Sequence, residues 1–389
     1  MNKAIMIGAG QIGRGFIGME LERAGYHVLF ADINKEVIED LQQRGEYTVT
    51  MIDAEIVETL VKNISAIGSL DPEFPACFAD AEVELCCTSV GQTALVKVAG
   101  SIAQGLRLRK EAGIENPINV IAVENAIGGT SQLKGHIFES LNEEEKAWVE
   151  EHVGFPNAAV DRIIPPSKGN KHPADAVVEK FFEWDVEKAP LKLDLLPVEG
   201  LHVVDDLSVF LERKLFTLNG PNAVTACYGY LKGYETIQEA LDDSEIRDVV
   251  WGMMEECNAM LEKRHPFTAE ELLAYRTKIM SRFRNPHIID FNLRVAREPI
   301  RKLSPNDRIV CAMNFAHGYG IDTPSYYTGI AAVLLYDNAA DEQSQKIQQL
   351  LAEKDVEGTL LEVSGLKAEN PAVAKIKAEY QRLKALYKG

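Results

Sequence analysis

The chain has 389 residues, 46% of them hydrophobic and 26% charged, which is long enough for two cores and ordinary for a globular protein. Fifty-nine acids against 41 bases give a formal charge of −18, a surface that repels nucleic acid and anionic membranes. No apolar run reaches the ~18–20 residues of a membrane helix, and the first residues leave no room for a signal peptide.

Lys3 to Ile7 is an apolar, β-branched run that ends in Gly8-Ala9-Gly10-Gln11-Ile12-Gly13. A helical spacing follows, stopped by Gly25, and Val28 to Ala31 reads as a second strand closed by Asp32. In that context the glycine turn predicts a dinucleotide site. Gly8 permits the tight turn, Gly10 lets the backbone approach a pyrophosphate, and Gly13 lets helix and strand pack closely. The helix start, with Gln11 and Ile12, offers N–H groups to phosphate. Asp32 accepts from ribose hydroxyls and repels a 2′-phosphate, which favours NAD over NADP. A domain of this kind holding FAD, or holding nothing, stays open. Arg14 reads either as a phosphate contact or as a surface arginine.

Alternating residues from Tyr47 to Ile67 predict short strands, an antiparallel excursion or a lid. Val83–Thr88 and Asn119–Val123 read as further strands, and 130–141 and 143–153 as helices. Strands alternating with helices predict a doubly wound parallel sheet of the Rossmann type. Ser89 and Val90, after the third strand, fall where a nicotinamide-side loop belongs. The pattern loosens over the prolines of 165–200, so the boundary is expected near 195, with a nucleotide domain over 1–195 and a substrate domain over 196–389. Beyond it apolar stripes predict a mainly α-helical domain, with helices at 205–218, 222–241, 243–263, 268–283, 341–353 and 371–387. The six cysteines include no Cys-x-x-Cys pair, so reduced thiols in a cytoplasmic protein are expected, with neither disulfides nor a zinc site.

Oxidising a secondary alcohol by hydride transfer needs a base for the hydroxyl proton and donors for the developing alkoxide. No Cys/His cluster suits a catalytic metal, so none is expected. In the segment 210–222, Lys214, Asn219 and Asn222 fall within an arc of about 140° at α-helical spacing. An amine in an apolar stretch loses water and favours its neutral, proton-accepting form. A lysine that merely snorkels to the surface would look the same. Pro221 threatens the helix geometry. Between 282 and 308 lie Arg282, Arg284, Arg294, Arg297, Arg301, Lys302 and Arg308, opposed by Asp290, Glu298 and Asp307. In so acidic a chain this reversal points to an anionic substrate, although a solvated helix face gives the same pattern.

Gly-Ala-Gly-Gln-Ile-Gly-Arg-Gly-Phe at 8–16, Val-Glu-Asn at 123–125, Val-Asp-Arg-Ile-Ile-Pro at 160–165 and Lys-Leu-Phe-Thr-Leu-Asn at 214–219 occur in order. With 148–155 and 301–304, they make nearly the whole chain resemble the polyol-specific long-chain dehydrogenases. The resemblance implies Lys214 as general base, with Asn125 and Asn219 as oxyanion donors and Asn125 also beside the cofactor. It implies substrate contacts at Asp161, Arg294 and Lys302, with Asp161 otherwise a structural hydrogen bond. Arg297 and Arg301 are the candidates for binding a phosphate. The family pattern ends in histidine where this chain has Asn222, which can hydrogen-bond a hydroxyl but carries no charge. The implied reaction is the reversible, NAD-dependent oxidation of D-mannitol 1-phosphate to D-fructose 6-phosphate by a monomer. A hexuronate reductase acting on tagaturonate or fructuronate, and a non-catalytic NAD-binding protein, are the alternatives.

Overall fold

The computed structural model describes residues 2–53, 55–124, 126, 128–165 and 170–388. The chain divides into two compact units, 1–210 and 211–389.

The strands of the first unit are β1 (Lys3–Ile7), β2 (His27–Asp32), β3 (Tyr47–Ile52), β4 (Ile56–Val61), β5 (Ile64–Gly68) and β6 (Val83–Thr88). They continue with β7 (Ile118–Ala122), β8 (Val153–Gly154), β9 (Ala158–Asp161), β10 (Ala176–Glu179), β11 (Glu183–Glu187) and β12 (Leu201–Val204). The main sheet is parallel throughout, in the order β5-β2-β1-β6-β7-β8. Its strands are apolar without strict alternation because both faces are covered. Ala4 and Met6 of β1 enter one core, and Ile5 and Ile7 the other. The strand order reverses between β1 and β6, which makes the crevice at their carboxyl ends the switch point where such sheets take ligands.

The helices of this unit are α1 (Met19–Arg23, entered through a π-helical turn at Gly13–Gly18), α2 (Lys35–Arg44), α3 (Leu95–Glu111), α4 (Gly129–Glu139) and α5 (Glu143–His152). The sequence assigns no element to α3. The excursion expected over 47–67 is only partly antiparallel. β3 and β4 pair that way in a separate sheet with β10, while β5 joins the main sheet alongside β2. A third sheet orders β12-β11-β9. Pairing of β12 with β11 therefore carries the first unit past 195, and the division falls between Phe210 and Leu211.

Helix α6 (Leu207–Arg213) spans that division, and a π-helical turn at Lys214–Asn219 follows it. The second unit continues with α7 (Gly220–Leu231), α8 (Ile237–Asp242), α9 (Ser244–Arg264), α10 (Ala269–Phe283), α11 (Asn292–Val295) and α12 (Pro299–Leu303). It ends with α13 (Val310–Gly318), α14 (Pro324–Leu334), α15 (Glu342–Ser364) and α16 (Pro371–Tyr387). Reciprocal capping boxes start α8 at Thr236/Glu239 and α10 at Thr268/Glu271. The helix expected over 222–241 is two, because Gly233 takes a φ of +84° between them. One core holds this unit together, with α14 packed against α7, α9 and α16.

Candidate active site

In the first unit the glycine turn is built as its residues demand. Gly8 has a φ of +98°, and a Cβ there would collide with the Ser89 carbonyl. A Cβ on Gly13 would collide with the Gly8 carbonyl, so the helix starts in direct contact with the strand end. Gly10 is the opposite case: it is exposed, and a Cβ there would meet no described atom within 4 Å. The backbone at Gly10 is thus open to a close-approaching phosphate. Asp32 ends β2 with Oδ2 accepting from Ala9 N–H at 2.5 Å and Oδ1 from Asn34 N–H at 2.8 Å. These bonds tie the acid to the turn it answers in sequence.

Two neighbouring side chains face elsewhere. Gln11 accepts from Val177 N–H at 3.0 Å, and Ile12 packs against the core. Arg14 reads from sequence as a phosphate contact or a surface arginine, and it is not on the surface. It is 3% exposed, donates to the Ala9 and Asp175 carbonyls, and burial holds its guanidinium below the ordinary arginine value.

Ser89 follows β6 beside this turn, its N–H donating to the Ile7 carbonyl at 2.8 Å. Val90 and Gly91 donate instead to Glu124, a buried acid for which the sequence offers only its place in Val-Glu-Asn. Asn125 lies outside the described residues. Asp161 is buried at the end of β9, where its register partner is Glu183. Its neighbour Arg162 lies between Phe16 and Phe182, with Nη1 3.5 Å from Glu20.

In the second unit the π-helical turn carries Lys214 and Asn219, both half-buried. Alpha-helical spacing separates them by about 140°. A π turn instead bonds i to i+5, as Gly220 N–H does to the Leu215 carbonyl, and so stacks residues five apart. Pro221 has no N–H to close an ordinary helical bond, and it starts α7 next to the widened turn. The helix is thus irregular where Pro221 threatens it, with a π-helical turn on its amino-terminal side. Asn222 follows on α7, and its buried Oδ1 has no hydrogen-bond partner among the described residues.

The basic segment borders this region. A Cβ on Gly220 would meet the Arg308 carbonyl at 2.6 Å, so 308 packs directly on the start of α7. Arg294 makes two bonds to Asp290, at 2.7 and 2.6 Å. Arg301 bonds Glu298 at 2.9 Å and Asp307 at 3.1 Å, and Arg308 bonds Asp307 at 2.6 Å. Burial pushes the Asp307 carboxyl up, but the bonds from Arg308 and the charge of Arg301 outweigh it and hold the group below its ordinary value. Arg297 is exposed, and among the described residues no carboxylate pairs with it.

Lys302 is 4% exposed and donates to the carbonyls of Val295 and Arg297, which fixes the loop bearing those arginines. Burial pulls its ammonium down to about 8. Because its folded value lies below the unfolded one, the unfolded chain binds more protons between about pH 8 and 10.5. Stability should rise with pH across that window by on the order of 3 kcal/mol from this group. Denaturant unfolding of the wild type and Lys302→Met at several pH values checks this: the wild type should gain stability relative to the variant as pH rises. A constant difference would refute it.

A cavity of ≈ 750 Å³ in the second unit, lined by Asn314, His317, Asp322, Tyr327 and Lys375 among others, contains none of the sequence-predicted residues. Among the described residues no group of three or more His, Cys, Asp or Glu is arranged to hold a metal ion. No described helix is long and apolar enough to cross a membrane.

A family model described as the mannitol dehydrogenase Rossmann domain matches residues 2–200, and one described as the mannitol dehydrogenase C-terminal domain matches 206–384. Among solved structures, the chain is similar to Pseudomonas fluorescens mannitol 2-dehydrogenase in ternary complex with NAD and D-mannitol. The identity is 19% and the TM-score 0.72, over 100% of this chain and 94% of that one. It is likewise similar to a substrate-free D-sorbitol dehydrogenase, at 20% identity and TM-score 0.80, over 100% and 93%. At such identities the likeness to these structures speaks for the fold.

Proposed function

From the premise that the chain belongs to the mannitol dehydrogenase family, we propose that it is a mannitol-1-phosphate 5-dehydrogenase, interconverting D-mannitol 1-phosphate and D-fructose 6-phosphate. The family makes it an NAD-dependent polyol dehydrogenase; the phosphorylated substrate is the proposed part. NAD⁺ supplies the hydride acceptor. The residues suited to hold it are Gly8, Gly10 and Gly13 with Gln11 and Ile12 at the helix start, Asp32 for the ribose, and the Ser89–Val90 backbone. The open face of Gly10 fits that use.

In this reading Lys214 takes the C5 hydroxyl proton, and the Asn219 amide donates to the alkoxide without titrating. Asn125, outside the described residues, keeps the role of second amide donor that its motif implies. Asn222 offers its unpartnered Oδ1 to a substrate hydroxyl. Asp161 is assigned another hydroxyl.

The phosphate is argued from one observation. Arg294, Arg301 and Arg308 have carboxylate partners close in sequence, whereas Arg297 is exposed with no carboxylate pair among the described residues. Arg297 is therefore the first candidate for the phosphate. Arg294 and Arg301 remain assigned to the substrate, which would share their guanidinium donors with Asp290, Glu298 and Asp307. Lys302 would act there by holding the loop.

Following NADH consumption with fructose 6-phosphate, fructose and tagaturonate tests the substrate. The phosphate ester should give the highest kcat/KM, and a preference for tagaturonate would defeat the proposal. Arg297→Ala should raise KM for fructose 6-phosphate about 10–100-fold, the worth of a charged hydrogen bond, and leave turnover of fructose unchanged. Equal losses on both sugars would remove Arg297 from the phosphate.

A further inference from the structure

The turn after β6 is organised by one buried acid. Glu124, two residues past the end of β7, is 7% exposed. Its Oε1 accepts Val90 N–H at 2.8 Å and the Thr88 hydroxyl at 3.3 Å, while Oε2 accepts Gly91 N–H at 2.9 Å. Burial pushes this carboxyl up, and the three donors pull the other way. Gly91 is held at a φ of +87°. On its other side the turn rests on the glycine loop, because the Ser89 carbonyl fills the space over Gly8.

We propose that Glu124 is a positioning residue for the dinucleotide, fixing the Thr88–Gly91 backbone as one wall of the crevice between β1 and β6. The chemistry favours a carboxylate over any neutral cap. A carboxylate only accepts, so it draws both N–H groups and the hydroxyl toward itself and leaves no donor mismatched. A glutamine would set its own NH₂ against one of those N–H groups. Burying a charge is costly unless it is fully bonded, and here the bonds all converge on the ligand side of the sheet. A cap serving the scaffold alone could sit at either end of the strands. The inference rests on nucleotide binding at this crevice and is independent of which polyol is turned over.

Nicotinamide fluorescence on the full chain measures NADH binding without any sugar, so failure of the phosphate reading leaves this test intact. Glu124→Gln should raise the dissociation constant and the KM for NADH about tenfold or more, with KM for the sugar unchanged. Thr88→Val keeps the shape, removes one donor, and should shift NADH affinity less in the same direction. If the glutamine variant does not fold, Gly91→Ala strains the same turn at its positive φ and should weaken NADH likewise. A purely structural role predicts a lower melting temperature with NADH affinity intact. That result in any folded variant overturns the proposal.

Discussion

Replacing Lys214 by alanine should lower kcat about 10³-fold while NADH still binds, because positioned acid–base groups contribute roughly 10²–10⁴. The amine belongs to a π-helical turn that runs from Lys214 to Asn219. Single π turns are uncommon and recur at functional sites, so a widened turn around these two residues fits their proposed roles. Lys214→Arg should fare no better than alanine. A guanidinium keeps the positive charge and the hydrogen bonds but does not release its proton. That contrast separates a base from a cation that merely attracts phosphate, since arginine would restore the latter. Steady-state kinetics in both directions, together with NADH titration, provide the check. An alanine variant within tenfold of wild-type kcat would exclude lysine as the base.

The two halves were unequally legible. Glycine turn, second strand and acid were readable because each needs a residue type at a fixed place: positive φ at Gly8, close packing at Gly13, a carboxylate at the end of β2. Helix α14 was not, since Tyr326 to Leu334 is buried on every side and carries no apolar stripe. Helix α3 hides for a related reason. Arg109 is fully buried on its inner face, donating to the carbonyls of Phe78, Asp80 and Asn116, so a charge interrupts the apolar pattern. The strands β9 to β12 are only four or five residues long, and β10 and β11 fall in the stretch of 165–200 whose prolines read as loop.

In the site, the sequence contains the basic residues but not their pairing. Only three-dimensional contact shows Asp307 shared by Arg301 and Arg308 while Arg297 has no such acid among the described residues. Glu124 carried no spacing signal, because its partners lie about thirty-five residues earlier on another strand's turn. The arc drawn through Lys214 and Asn219 assumed α-helical geometry, and the segment is a π-helical turn. Pro221 signalled trouble in the helix, but a single turn's widening has no periodicity to read.

Cofactor choice should turn on Asp32. Its two oxygens accept from Ala9 and Asn34, and each oxygen retains a second acceptor site for a ribose hydroxyl. The same negative charge opposes a 2′-phosphate. Asp32→Ala removes both effects and should weaken NADH about 10–100-fold, the cost of losing charged hydrogen bonds. The preference for NADH over NADPH should collapse further than NADH affinity alone, because repulsion of the phosphate is lifted at the same time. Asp32→Asn removes the charge and keeps one acceptor oxygen, with its NH₂ set against the Ala9 or the Asn34 N–H, and NADPH should gain relative to NADH. Dissociation constants for both nucleotides across wild type and the two variants give the comparison. A wild type that binds NADPH as tightly as NADH, or variants that leave the ratio unmoved, would mean that the carboxylate serves the glycine turn alone.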